Sequence, residues 1–139
     1  MNAPIVIVLG LTLAISACAT HPVSNAEATH VPNERLLSLQ FLRPAAGTVE
    51  VTVKRDSGVF GAACSSRIFV NGTPVADLDT SEKVVLHLPE GEHILSAWPN
   101  GMCGGGMSEV NVVVRPGKQL NFRVGYGSSG DFAIHPTAF

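Results

Sequence analysis

From Gly47 to the end of the chain, apolar residues recur at every second position in short runs, and each run stops at residues that favour turns. A period of two is the period of a β-strand, whose successive side chains point to opposite faces. "TVEVTVKR" sets Val49, Val51 and Val53 on one face against Glu50, Thr52 and Lys54 on the other. "RIFVNGTPVADL" is two short runs around Asn71-Gly72, a pair that tolerates the positive φ of a type I′ hairpin turn. "KVVLHLPEGEHILSAW" reads as a second hairpin. Val84, Leu86 and Leu88 oppose Val85 and His87, Pro89 pre-sets φ, and Gly91 supplies a left-handed position. "EVNVVVRPGKQLNFRV" reads as a third hairpin, turning at Pro116-Gly117, and "DFAIHP" as a last short strand. "ERLLSLQFL" suits a helical turn or a first strand equally. The pattern predicts an all-β body over residues 35–139: a single antiparallel β-sandwich of about seven short strands.

Composition narrows the functional classes. A chain of 139 residues has room for one small domain and a leader. Charged residues make up 14 % and the net charge is −2, without a Lys/Arg cluster. That is no electrostatic footprint for nucleic acid, so nucleic acid is not an expected partner.

The start of the chain has a different character. "MNAPIVIVLGLTLAIS" carries no charged side chain, and its apolar core from Ile5 to Ile15 is too short to span a bilayer, which takes about 20 residues. It has the length of a signal-peptide apolar region, although no Lys or Arg precedes it. Ile15, Ser16, Ala17 and Cys18 then follow in a pattern that resembles the lipobox of bacterial lipoproteins. The resemblance implies a signal peptide over 1–17, cut before Cys18, with Cys18 acylated. Ala19 in place of an aspartate implies an outer-membrane destination, facing the periplasm. Acyl chains contribute about 0.8 kcal/mol per buried CH₂, so a multiply acylated cysteine would anchor the protein without a spanning helix. Residues 18–34, rich in Ala, Thr, Pro and Asn, read as the lipidated cysteine and a flexible tether, in which His21 and His30 are solvated.

The body itself resembles the PEGA domain and related small lipoprotein domains. The matching positions are Val70, Asn71, Gly72, Pro89, Gly91, His93 and Gly117, across residues 66–125. These are mostly turn residues. The resemblance therefore implies an envelope-associated β-sandwich and transfers no catalytic residue. The cysteine-bearing "GMCGGGM" departs from it.

With Cys18 committed to lipid, Cys64 and Cys103 remain. Export places them in an oxidising compartment, where a thiol pair tends to become a disulfide, and each sits in a loop of small residues able to adjust. No base or cation beside Cys103 marks it as a nucleophile. His87 and His93 flank the Pro89–Gly91 turn and would suit a metal only if they met across it; a turn-fixing hydrogen bond is the plainer role for His93. Asp77 and Asp79 lack the spacing of a calcium loop, and Ser128-Ser129 lies in a glycine-bounded turn with no base beside it. Trp98 and Tyr126, the only Trp and Tyr, adjoin the glycine-rich loops 101–106 and 125–130 and form a candidate binding surface, with Trp98 also suited to capping the core. No catalytic residue, metal or cofactor is expected. The function expected is a non-catalytic binding or accessory role in the envelope, with the membrane and an envelope protein or glycan as partners. The alternatives are an inhibitor or immunity-type lipoprotein and, behind it, a small metal-binding protein or hydrolase.

Overall fold

The computed structural model describes residues 19–139. The signal peptide expected over 1–17 and the lipidation expected at Cys18 lie outside the described residues. Nine strands form two sheets: β1 (Thr29–His30), β2 (Thr48–Arg55), β3 (Ser66–Val70), β4 (Thr73–Leu78), β5 (Glu82–Pro89), β6 (Gly91–Pro99), β7 (Ser108–Val114), β8 (Leu120–Tyr126) and β9 (Phe132–Pro136). One sheet has the order β1-β5-β2-β8-β9 and the other β4-β3-β6-β7. Among the described residues there is no α-helix, only a 3₁₀ turn at Asn33–Arg35.

Strand alternation builds the core directly. Val51 and Val53 of β2, Val84, Leu86 and Leu88 of β5, and Phe122 and Val124 of β8 bury against Ile68 and Val70 of β3, Leu95 and Ala97 of β6, and Val112 and Val114 of β7. Each sheet thus gives its apolar face to one shared core. Leu36 continues the extended chain beside β4 through a bridge to Ala76, and Leu36, Phe41 and Leu42 pack on the core's margin.

Three expectations are corrected. The sheets are not wholly antiparallel, because β2 runs parallel to β8 and β1 parallel to β5. Of the three expected hairpins, only β3–β4 pairs as one. β5 and β6 belong to different sheets, as do β7 and β8, so the turns at Pro89–Gly91 and Pro116-Gly117 carry the chain from one layer to the other. The alternation cannot separate these cases, because a hairpin and a crossover both turn Leu86 and Leu95 toward the core. Edge occupancy decides. β6 is flanked by β3 and β7, and β8 by β2 and β9, so neither has an edge free for its chain neighbour.

The third correction concerns the tether. Residues 19–31 are fixed on the body rather than free. His21 exchanges backbone hydrogen bonds with Ser57, both 2.9 Å. Val23, Ala28 and Val31 are buried. The segment crosses the outer face of the five-stranded sheet. There the Asn25 carbonyl accepts from Lys83 Nζ at 2.5 Å, and the Asn25 amide donates to Asn121 Oδ1 at 3.1 Å. Its three apolar residues leave water, and its backbone bonds to Ser57 and the Lys83 and Asn121 contacts of Asn25 hold it, although Asn25 Oδ1 is buried without a partner; together these contacts oppose the entropy of a free linker.

The turns have the backbone that their residues permit: φ is 49° at Asn71, 80° at Gly72, 124° at Gly91 and 71° at Gly117. At Gly91 a Cβ would meet nothing within 4 Å. Gly91→Val therefore isolates backbone strain from steric overlap. Its expected effect is a loss of about 1–2 kcal/mol, read as a fall of roughly 5–10 °C in melting temperature. An unchanged melting curve would show that the crossover tolerates a β-branched residue at this φ.

Candidate functional site

Strands β2, β4, β6 and β8 all end at the same end of the two sheets, and β3, β5, β7 and β9 start there. Three glycine-rich connections meet at this end: residues 56–65, 100–107 and 127–131. A Cβ at Gly105 would sit 3.3 Å from Phe132 Cβ, and one at Gly130 would sit 3.6 Å from Phe60 Cζ, so the loops are in mutual contact. The loops around 101–106 and 125–130 are therefore neighbours.

What holds them is a run of charge at the end of β2. Lys54, Arg55 and Asp56 are all buried although they follow an alternating apolar strand. Parity turns Arg55 to the core side. Its guanidinium donates to the carbonyls of Leu78 at 3.0 Å and Gly61 at 2.6 Å, and to that of Cys64. Burial pushes Arg55 below its ordinary pKa, with the fields of Tyr126 and Asp79 opposing; an arginine keeps its charge regardless. One side chain thus binds two carbonyls of loop 56–65 and the last carbonyl of β4.

Cys64, fixed by that contact, is bonded to Cys103, with Cα atoms 6.0 Å apart. The disulfide ties loop 56–65 to loop 100–107. Beside it Tyr126 packs edge-on against Phe60 and tilted against Phe132, with both centroid separations 5.1 Å. Gly61 lies so close to this ring that a Cβ would overlap it. Burial raises the Tyr126 phenol above its ordinary pKa, with Arg55 opposing.

Asp56 points the other way, under the start of the described chain. Its carboxylate accepts from Arg123 Nε at 3.0 Å and from a second Arg123 nitrogen, and from Thr20 Oγ1 at 2.9 Å. The Tyr126 N–H donates to Thr20 Oγ1 at 2.8 Å, and the Thr20 N–H donates to the Tyr126 carbonyl at 3.0 Å. Gly125 has no room for a Cβ between Asp56 and Thr20. Thr20 is therefore held by three hydrogen bonds in a buried polar cluster.

The other candidate residues separate. Trp98 is 47 % exposed on the outer face of β6 and does not cap the core, whereas Tyr126 is 5 % exposed and belongs to the aromatic cluster. The two do not share one exposed surface, because parity and the Phe60 and Phe132 contacts turn Tyr126 inward. His93 is built into its turn. The Ile94 N–H donates to Asn71 Oδ1 at 2.9 Å, and the Asn71 amide donates to His93 Nδ1 at 3.0 Å. His93 Nε2 in turn donates to the Pro89 carbonyl at 2.8 Å. With one nitrogen accepting and the other donating, both are occupied. Asp77 pairs with Arg67 at 2.8 Å and Asp79 with Arg35 at 2.7 Å, so the two carboxylates diverge to different cations. Among the described residues, no three His, Cys, Asp or Glu side chains converge as a metal set would. The Ser128-Ser129 loop is closed by the Gly127 N–H donating to the Asp131 carbonyl at 2.8 Å.

Thr20, Arg55, Asp56, Arg123 and Gly125 were not legible as a group. The signal available was the triple charge Lys54-Arg55-Asp56 closing a strand otherwise committed to the core.

Comparison of the chain with family models, curated proteins and solved structures finds no match.

Proposed function

We propose that the protein is a lipid-anchored β-sandwich of the cell envelope, held at the outer membrane through Cys18 and facing the periplasm, with a non-catalytic binding or accessory structural role. The observation that carries this reading is the cysteine arrangement. Cys64 and Cys103 are joined as a disulfide, a bond that persists in exported proteins and is rare in reducing compartments. The third cysteine stands directly behind the apolar run in the Ile15-Ser16-Ala17-Cys18 pattern. The disulfide and the leader thus suit the same side of the membrane. Two sheets sharing one core support the sandwich description, and the turn residues Asn71-Gly72, Pro89, Gly91 and Gly117 support a PEGA-like body. An accessory role suits a site whose charges are spent on holding the fold: Arg55 binds three carbonyls, and Asp56 binds Arg123 and Thr20.

Cys18→Ser is expected to release the protein from the membrane fraction or to leave its leader uncut. Carbonate-washed membranes and the intact mass of the mature chain read both effects. A variant that stays in washed membranes with wild-type processing would end the lipoprotein reading.

A further inference from the structure

We infer that the disulfide-stapled loop end is itself a lipid-facing surface, which lies in the membrane interface alongside the acylated N-terminus. The inference rests on the lipid-anchored reading and adds an orientation and a contact surface to it.

The first observation is where the described chain starts. Thr20 is locked to Asp56 and Tyr126, and a Cβ at Gly58 would lie 3.4 Å from Thr20 Cα. Only Ala19 separates Thr20 from Cys18. Two residues of chain reach about 7 Å at most. A lipid on Cys18 therefore has no slack, and the end of the body that carries Thr20 is drawn against the bilayer.

The second observation is what that end presents. Val59, next to Gly58, is 84 % exposed, and Phe60 and Met102 are also exposed. Trp98 and Met107 stand exposed at the two roots of loop 100–107. Large apolar side chains in solvent at one end of a small domain mark an interaction surface. Aromatic and thioether side chains suit the boundary between headgroups and acyl chains.

The third observation is charge. Residues 57–65 and 99–107 hold no charged side chain, nor do 127–130. The charges that flank these loops are engaged or folded back: Asp79 and Glu82 pair with Arg35, Asp77 pairs with Arg67, Glu109 accepts from the Ser96 hydroxyl, and the Asp131 carboxylate lies over Gly127. The opposite end carries exposed Arg43, Glu90, Glu92, Arg115 and Lys118. Burying the loop tips desolvates no charged side chain of residues 57–65, 99–107 or 127–130, whereas burying the other end would strand five. The disulfide and the Arg55 contacts keep the apolar loops presented in the free protein, so little ordering is left to be done at the membrane.

The test uses the full-length mature protein, reconstituted in vesicles of phosphatidylethanolamine and phosphatidylglycerol with brominated acyl chains. Trp98→Phe removes the only tryptophan. In that background Val59→Trp and, separately, Met102→Trp report the stapled end, and Lys118→Trp reports the other. Strong bromine quenching of the first two, at least several-fold above that of Lys118→Trp, is the expected result. It should be accompanied by slowed amide exchange of residues 58–62 and 101–106 in wild-type protein on vesicles relative to detergent. Equal, weak quenching at both ends with the protein still floating with the vesicles would overturn this inference and leave the anchor standing. Failure to float would overturn the anchor and this inference with it. Loop protection that rises with protein concentration in detergent would assign the surface to a second copy of the chain and overturn the lipid assignment.

Discussion

Arg123→Met is expected to lower the unfolding free energy by about 3–5 kcal/mol, the range for stranding one member of a buried ion pair. Asp56 is 1 % exposed, and Arg123 supplies two of its hydrogen bonds. Without the guanidinium, the carboxylate keeps only the Thr20 hydroxyl as a side-chain donor. Methionine fills much of the same volume, so the loss reports the charge and its hydrogen bonds rather than a cavity. Asp56→Asn in the same chain removes the stranded charge, so the double variant should lose clearly less than the sum of the two single losses. Denaturant titration of all four proteins supplies the numbers. Strictly additive losses would mean that Asp56 and Arg123 do not act as a pair. Thr20 leans on the same carboxylate, so freer amide exchange at residues 20–23 should accompany the Arg123 change.

Replacing both cysteines, Cys64→Ala with Cys103→Ala, is expected to lower stability by about 4 kcal/mol, the chain-entropy value for closing a loop of 39 residues. Reductant acting on the wild-type protein should produce a loss of similar size. Arg55 still holds the carbonyls of Gly61 and Leu78 in either case. The native loops should therefore keep their course, and the effect should come mainly through the freed unfolded chain. A loss below about 1 kcal/mol, well under the usual range, would show that the unfolded chain is already constrained across this span. Altered exchange throughout loops 56–65 and 100–107 would show instead that the bond, not Arg55, shapes them.

The contrast between these two sites marks what was legible before the fold was known. Alternation at Val49–Val53, Val84–Leu88 and Val110–Val114 determined that the body is β-structure and which face of each strand is buried, because side chains on an extended backbone must alternate. Asn71-Gly72 determined a reversal because few other pairs accept that backbone. Cysteine count and context pointed to the Cys64–Cys103 bond without reference to any coordinates.

Only tertiary structure decided which neighbour each strand takes. The same alternation fits a hairpin or a crossover, and the choice for β5–β6 and β7–β8 fell to competition among distant strands for open edges. Tertiary structure also decided the fate of residues 19–31. Their composition is that of a linker, but Val23, Ala28 and Val31 gained a surface to cover, and Thr20 gained Asp56. The roles of Arg55 and Asp56 followed the same logic. A charged residue reads as exposed in a sequence because water is its default partner. Where a fold brings carbonyls or an opposite charge to meet it, hydrogen bonds replace that water, and the partners come from residues as far apart in the chain as Thr20, Leu78 and Arg123.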